Sequence, residues 1–101
     1  MRRAIDFIKS HSRDVYTVTD VCRASATTSR TLERVFREEL AVTPKQYMKL
    51  VKLTGVRQDL IKLSQEESIK DIALSWGFWH MSQFAQDYKN QFGKLPSQTQ
   101  N

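Results

Sequence analysis

Apolar side chains recur at helical spacing between residues 29 and 40, and polar side chains fill the positions between them. The apolar positions fall at i, i+3, i+4 and i+8: Leu32, Val35, Phe36 and Leu40. This spacing predicts an amphipathic helix from Ser29 to Leu40 with one buried face, and Thr28 stands where a helix cap is needed. The outer face of this helix is expected to carry Arg30, Glu33, Arg34 and Arg37.

The same periodicity predicts helices on both sides of this segment. A first helix is expected from about Arg2 to His11 and a short second helix from about Val18 to Ser25. A longer helix is expected from Pro44 to Leu63, because proline is tolerated at the first helical position. Thr43 can cap the start of this helix. The apolar residues of that helix lie on more than one side of its axis: Tyr47, Met48, Leu50, Val51, Leu53, Val56, Leu60 and Ile61. We therefore expect it to be buried on more than one side, with Gly55 as a close-packing or hinge site.

A second pair of helices is predicted between Ser68 and Pro96. A short helix follows Ser68, a tight turn falls at Gly77 to His80, and a further helix begins at Met81. The segment Ser64 to Glu67 forms a polar connection to this pair. Trp79 is interpreted as a packing residue of the turn rather than a platform for base stacking. Four other aromatic residues are interpreted as core: Phe78, Phe84, Tyr88 and Phe92.

The two helix pairs are copies of one pattern. Residues 17–22 align with residues 68–73 at a separation of 51, and each copy places a capping box before two apolar residues. Residues 32–44 align with residues 84–96 at a separation of 52, which leaves one extra residue between the helices of the second copy.

Two helix-turn-helix units joined by a rigid helix favour DNA binding. The linking helix is about 30 Å long at 1.5 Å per residue, and successive major-groove faces on one side of B-form DNA lie about 34 Å apart. An ordinary six- or seven-helix bundle with a coincidental duplication stays the alternative.

The charge of the chain narrows the choice of partner. With 16 Lys and Arg against 11 Asp and Glu the net charge is +5, and residues 1–50, with ten against six, hold +4 of it. An excess of positive charge suggests nucleic acid or a membrane surface as partner, although a solvated basic face on a helical domain explains it as well. No segment has the apolar length of a secretory leader or a membrane span. We expect a soluble protein in a reducing, cytoplasmic setting, with the single Cys22 buried.

Enzymatic function is not expected from this sequence. The three glycines, at 55, 77 and 93, form no phosphate-cradling loop, and there is no recognisable catalytic carboxylate pair or Cys–His arrangement. His11 and His80 are too far apart in sequence to show metal-ligand spacing. We expect neither a cofactor nor a metal ion.

An ordered set of residues in the second copy matches a known signature: Ile72-Ala73, Gly77-Phe78, Phe84, Lys89, Phe92-Gly93 and Pro96. It resembles the signature of the AraC/XylS family of bacterial transcription regulators. Residues 30–37, followed by Pro44 and Tyr47, resemble the first helix-turn-helix of the same family. The resemblance covers the chain from about Ala4 to Pro96. The chain departs from the family pattern at Ala26, where the family commonly has glycine and where the first turn is therefore expected to differ slightly.

The resemblance implies an all-α fold of about seven helices, with two helix-turn-helix subdomains, residues 1–43 and 64–101, joined by a linking helix at residues 44–63. It also implies sequence-specific binding of double-stranded DNA at bacterial promoters by two recognition helices. Carried over by position, the first recognition helix presents Thr28, Ser29, Arg30, Thr31, Glu33, Arg34 and Arg37. The second presents His80, Met81, Ser82, Gln83, Gln86 and Lys89.

The residue types suit these roles. Arg30 and Arg34 can offer paired donors to guanine O6 and N7, and Glu33 can accept from a cytosine amine. Arg37 suits a phosphate contact. On the second recognition helix, Gln83 and Gln86 can read adenine. Ser82 can bond a base or a phosphate, and Met81 can touch a thymine methyl group. A solvated surface charge is the alternative for each arginine.

Regulators of the resembled family usually carry a separate sensing and dimerising domain, so the chain is expected to be either a short member or a fragment. RNA polymerase is a further candidate partner, and the bacterial nucleoid the expected place of action. A helical protein-interaction module is the second hypothesis, because helix-turn-helix units also bind polymerase subunits or partner domains. An RNA-binding bundle is a weaker third.

Overall fold

The computed structural model describes residues 1–14, 16–63 and 67–99, without the side chain of Leu63. Seven helices and no strand occur in this part of the chain: α1 (Arg2–Ser10), α2 (Val18–Ala24), α3 (Ser29–Leu40), α4 (Pro44–Leu63), α5 (Ile69–Ser75), α6 (Met81–Phe92) and α7 (Pro96–Thr99). The all-α prediction is confirmed. The predicted bounds of α3 and α4 match, whereas α1 and α2 each end one residue earlier than expected. Of the predicted polar connection, Ser64 to Glu67, residues 64–66 lie outside the described residues.

The chain divides into two compact units, Met1–Val51 and Lys52–Asn101. Each unit has its own core, and α4 contributes residues to both. None of the described helices has the length and apolar character needed to cross a membrane.

The core of the first unit is built by α1, α2, α3 and the first part of α4. Its buried members are Ala4, Ile8, Val21, Cys22, Leu32, Phe36 and Met48. Phe36 is fully buried and meets the ring of Tyr47 edge-on at 5.6 Å between centroids. Burial of such a side chain stabilises the fold by about 1.5–3 kcal/mol. Cys22 is buried among these residues, as predicted, and acts as a small apolar group.

The core of the second unit is built by the rest of α4 together with α5 and α6. Its buried members are Leu53, Val56, Leu60, Ile72, Ala73, Trp76, Phe84 and Tyr88. A row of aromatic rings runs through it, from Phe78 to Phe84 (5.0 Å), on to Tyr88 (5.9 Å) and to Phe92 (4.7 Å). Phe78 and Phe92 are partly buried against this cluster, so the core assignment of all four aromatic residues is confirmed.

Helix starts follow the predicted caps. Thr17 and Asp20 form a complete capping box at α2, with Thr17 N donating to Asp20 Oδ2 at 2.9 Å. Ser68 Oγ caps α5 by accepting from Asp71 N at 3.0 Å. At α4, Thr43 Oγ1 accepts from Gln46 N at 3.1 Å while Thr43 N donates to Gln46 Oε1 at 2.8 Å. These bonds satisfy amides that have no partner inside the helix.

Within the described residues, four have a left-handed backbone conformation, and they form two equivalent pairs. Ala26 (φ 55°) and Gly77 (φ 87°) lie in the turns that follow α2 and α5. Ala41 (φ 59°) and Gly93 (φ 78°) end α3 and α6. Both copies therefore use the same turn geometry. The first copy holds it with alanine, which is strained in this region by roughly 1–2 kcal/mol.

Three predicted inward-facing side chains are exposed. Leu40, at the last position of α3, is 38% exposed, and Ile61 is 58% exposed. Ile61 lies about 100° around α4 from the buried Leu60, and more than half of its surface faces solvent. Trp79 is 70% exposed, so its assignment as a packing residue of the turn is wrong.

Candidate DNA-binding surface

The outer face of α3 holds the residues predicted for the first recognition helix. All seven are exposed: Thr28, Ser29, Arg30, Thr31, Glu33, Arg34 and Arg37. Thr28 caps the helix, and its Oγ1 accepts from Thr31 N at 3.2 Å and donates to Thr31 Oγ1 at 3.1 Å. Thr28 Oγ1 therefore holds the helix start, whereas the Thr31 hydroxyl accepts this bond and keeps its own donor.

Three arginines form a stripe along α3. Arg30, Arg34 and Arg37 stand at i, i+4 and i+7, which places them within about 60° of one another around the helix axis. Together with Thr31 and Glu33 they line one surface depression. The stripe extends over about 10 Å of helix and concentrates guanidinium donors on one side.

An acidic neighbour that the sequence prediction missed lies beside this stripe. Arg34 Nη1 and Glu38 Oε2 are 3.5 Å apart, with both side chains 61% exposed. Because α3 holds three arginines (30, 34 and 37) and three glutamates (33, 38 and 39), its side-chain charge sums to zero. Exposed ion pairs of this kind contribute about 0–1 kcal/mol, so a phosphate or a base can replace Glu38 at Arg34. The i,i+4 spacing was the signal that could have revealed it.

The outer face of α6 carries the matching positions of the second unit. Ser82, Gln86 and Lys89 are exposed and stand at the same i, i+4 and i+7 spacing as the arginine stripe. Asp87 and Lys89 are the only charged residues of α6, so this stripe is mostly neutral and polar. His80 is the exposed N-cap of α6 and makes no capping bond with its side chain.

The other two predicted residues of α6 are placed differently. Gln83 is exposed, and its Nε2 donates to Asp87 Oδ1 at 2.9 Å. Met81 is partly buried, packs against the core of the second unit and lines an apolar depression with Ile69 and Pro96. Met81 therefore lies apart from the polar stripe of Ser82, Gln86 and Lys89.

Each unit has a capped short helix, a left-handed turn and a second helix with an exposed polar stripe. Within residues 1–14, 16–63 and 67–99 no cluster of His, Cys, Asp and Glu is placed to hold a metal ion. These features define a domain with two helix-turn-helix units of the DNA-binding type.

Known proteins support this class. Residues 21–101 match the model of a helix-turn-helix domain family. The probable thc operon regulatory protein of Rhodococcus erythropolis is 33% identical over 97% of this chain and 30% of its own length. The XylDLEGF operon transcriptional activator of Pseudomonas putida is 33% identical over 96% of this chain and 30% of its own length. This chain thus spans about 30% of the length of these relatives.

Solved structures agree with the sequence relatives. A probable AraC family transcriptional regulator from Rhodopseudomonas palustris has a TM-score of 0.89 at 26% identity, over 97% of this chain and 91% of that chain. An AraC-type DNA-binding protein from Chromobacterium violaceum has a TM-score of 0.90 at 25% identity, over 98% and 87% of the two chains. The chain belongs to the AraC/XylS family of DNA-binding transcription regulators.

Proposed function

We propose that this chain binds one bacterial promoter site through both units, with α3 reading one major-groove segment and α6 reading the next. The observation that carries the proposal is the pair of matching stripes, Arg30, Arg34 and Arg37 on α3 and Ser82, Gln86 and Lys89 on α6. Both stripes are exposed, and both lie on the second helix of a helix-turn-helix unit, which is the helix that enters the major groove.

The first recognition helix, α3, is proposed to supply most of the affinity for DNA. Arg30 and Arg34 bond guanine, each contributing about 1–3 kcal/mol of discrimination, and Arg37 bonds a phosphate. Glu33 accepts from a cytosine amine or orients an arginine. The remaining three residues, Thr28, Ser29 and Thr31, contact DNA from the start of α3, because the N-terminal residues of a recognition helix meet base edges.

The second recognition helix, α6, is proposed to adjust the choice of DNA site. Gln86 reads adenine through its paired donor and acceptor groups, Ser82 bonds a base or a phosphate, and Lys89 bonds a phosphate. Gln83 reads a base only when it exchanges its bond to Asp87. Three further members complete the proposed surface: His80 and Met81 at the start of α6, and Gln83.

The relatives extend the proposal to the whole protein. Their names describe an operon regulatory protein and an operon transcriptional activator, which supports a role in bacterial transcription regulation rather than in catalysis. RNA polymerase as a partner, a separate effector or dimerisation domain and a place in the nucleoid stay proposals. So does the division into residues 1–43, 44–63 and 64–101.

Selection of bound duplexes from a random DNA pool tests the proposal. We expect enrichment of one site with two blocks of base preference about ten base pairs apart. Arg34→Ala is expected to erase preference in one block and Gln86→Ala in the other. A single block that both variants affect would contradict reading by two helices. No enrichment, together with no salt-sensitive gel shift at low salt, would contradict DNA binding itself.

A further inference from the structure

The turn before α6 contains one residue more than the turn before α3. The backbone bond that closes the turn is the same in both copies: Thr27 N donates to Cys22 O at 3.0 Å, and Phe78 N donates to Ala73 O at 3.0 Å. In the first copy the N-cap follows Thr27 directly. In the second copy one residue intervenes between Phe78 and the N-cap His80, and that residue is Trp79.

The inserted tryptophan is not part of the core. It is the most exposed of the large apolar side chains in the described ranges, at 70%, and belongs to neither core cluster. The first copy closes the equivalent turn without it, so the turn itself does not require an indole. Trp76, by contrast, is buried and bonds Asp59 through its Nε1. The structure describes no such bond for the Nε1 of Trp79.

We propose that Trp79 contacts the sugar–phosphate backbone at the edge of the groove that α6 occupies, with its Nε1 donating to a phosphate oxygen and its ring covering a deoxyribose. This inference rests on the proposed function. An α-helix with side chains is about 10–12 Å across and fills a major groove about 12 Å wide. Trp79 precedes the N-cap and so lies outside α6 itself, and a bulky side chain at this position would meet the wall of the groove rather than its floor.

The chemistry of indole agrees with a phosphate contact. Its Nε1–H is a donor only, and phosphate oxygens are acceptors only, whereas base edges present mixed donors and acceptors. About half to two-thirds of protein–DNA hydrogen bonds go to phosphate and sugar, and they fix the position of the helix without reading sequence. Trp79 would thus position α6, which itself holds a single lysine.

Binding of variants to a random-sequence duplex pool tests the contact. We expect Trp79→Ala to lower affinity about tenfold, since a hydrogen bond to a charged group is lost. Trp79→Phe keeps a ring and is expected to lose less. The salt slope should not change, because no charge is removed. Ile61→Ala is the matched control: it removes another exposed apolar side chain of the same unit and should bind as the parent does.

Acrylamide quenching of tryptophan fluorescence gives a second readout. The chain has two tryptophans, the buried Trp76 and the exposed Trp79, so quenching of free protein arises mainly from Trp79. Saturating duplex should suppress acrylamide quenching in the parent protein. It should leave the quenching of Trp79→Phe unchanged. Normal binding by Trp79→Ala, or full quenching in the complex, overturns the inference while the proposed function stands. If Trp79→Ala loses base preference at one position in the selection experiment, the assignment to the DNA backbone is overturned. A parent protein that binds no duplex overturns the proposed function.

Discussion

The indole ring of Trp76 packs directly against the backbone of Gly55 in α4. A Cβ added at Gly55 would overlap carbons of that ring, so only glycine leaves room for it. The indole Nε1 also donates to Asp59 Oδ2 at 2.8 Å, one turn further along α4. Trp76 is the C-cap of α5, and this contact therefore holds α5 against α4 and fixes the turn that leads to α6. Of the two interpretations of Gly55, the structure confirms close packing.

Gly55→Ala is expected to destabilise the second unit. Overpacking of a core costs about 1–3 kcal/mol, which exceeds the gain of about 1 kcal/mol in helix propensity. Urea unfolding followed by tryptophan fluorescence measures this effect, because both tryptophans lie in this unit. Adding Trp76→Phe, a smaller ring, should relieve part of the overlap. A Gly55→Ala variant as stable as the parent would contradict the tight contact.

Ala26→Gly is expected to stabilise the first unit. Alanine at φ 55° is strained by roughly 1–2 kcal/mol, and glycine relieves this strain. Glycine also raises the entropy of the unfolded chain, which lowers stability by about 0.4–1 kcal/mol. The net gain is about 0.5–1 kcal/mol in the free energy of unfolding, measured by circular dichroism in urea. Ala24→Gly makes the same chemical change at the last residue of α2 and should instead lose up to about 1 kcal/mol. Destabilisation by both variants would show that the left-handed residue is not strained.

The helices and their caps could be predicted because local rules determine them. Periodic apolar residues, hydroxyl caps such as Thr28 and the prolines that open helices act within a few residues of sequence. The stripes of α3 and α6 followed for the same reason, since the side opposite the buried face is exposed. That the named residues touch DNA stays a prediction.

Contacts between segments distant in sequence could not be read in this way. Periodicity places Ile61 near an apolar stripe, but only the folded unit shows that most of its side chain faces solvent. The exposure of Trp79 follows from a one-residue insertion, whose position became clear when the two turns could be compared bond by bond. The Trp76–Gly55 contact joins residues 21 positions apart, and the two interpretations of Gly55 could be separated only by the packing.

The stability of the first unit is expected to fall at high pH because of Tyr16. Burial, reinforced by the carboxylate of Asp14, raises the pKa of the Tyr16 phenol to about 12, against about 10 in an unfolded chain. Between about pH 10 and 12 the unfolded chain releases this proton while the folded chain keeps it, so stability drops as pH rises. Tyr16→Phe should show a smaller drop in urea midpoint across this range. Tyr47→Phe is the control for losing a phenol from the same unit, and equal drops in both variants would contradict the assignment.

Arg34→Ala and Lys89→Ala are expected to weaken DNA binding in different ways. Loss of Arg34 should cost about 1–3 kcal/mol and relax base preference in one block of the site, because a paired donor to guanine is removed. Loss of Lys89 should weaken binding evenly and lower the salt slope by about one. Titrations of selected and random duplex at two salt concentrations separate these outcomes. Lys9→Ala removes another exposed positive charge, from α1, and controls for net charge.

Glu38→Gln is expected to make α3 bind DNA more tightly and less selectively. Glu38 pairs with Arg34 at 3.5 Å and repels phosphate, and we expect its carboxylate to orient the guanidinium until a base takes its place at Arg34. Since an exposed pair contributes at most about 1 kcal/mol, random-duplex affinity should rise up to about fivefold, and affinity for the selected site should rise less. Glu39→Gln makes the same charge change about 100° away around α3 and should raise both affinities equally. If the two variants behaved alike, Glu38 would act only through net charge, and its pairing with Arg34 would have no part in site choice.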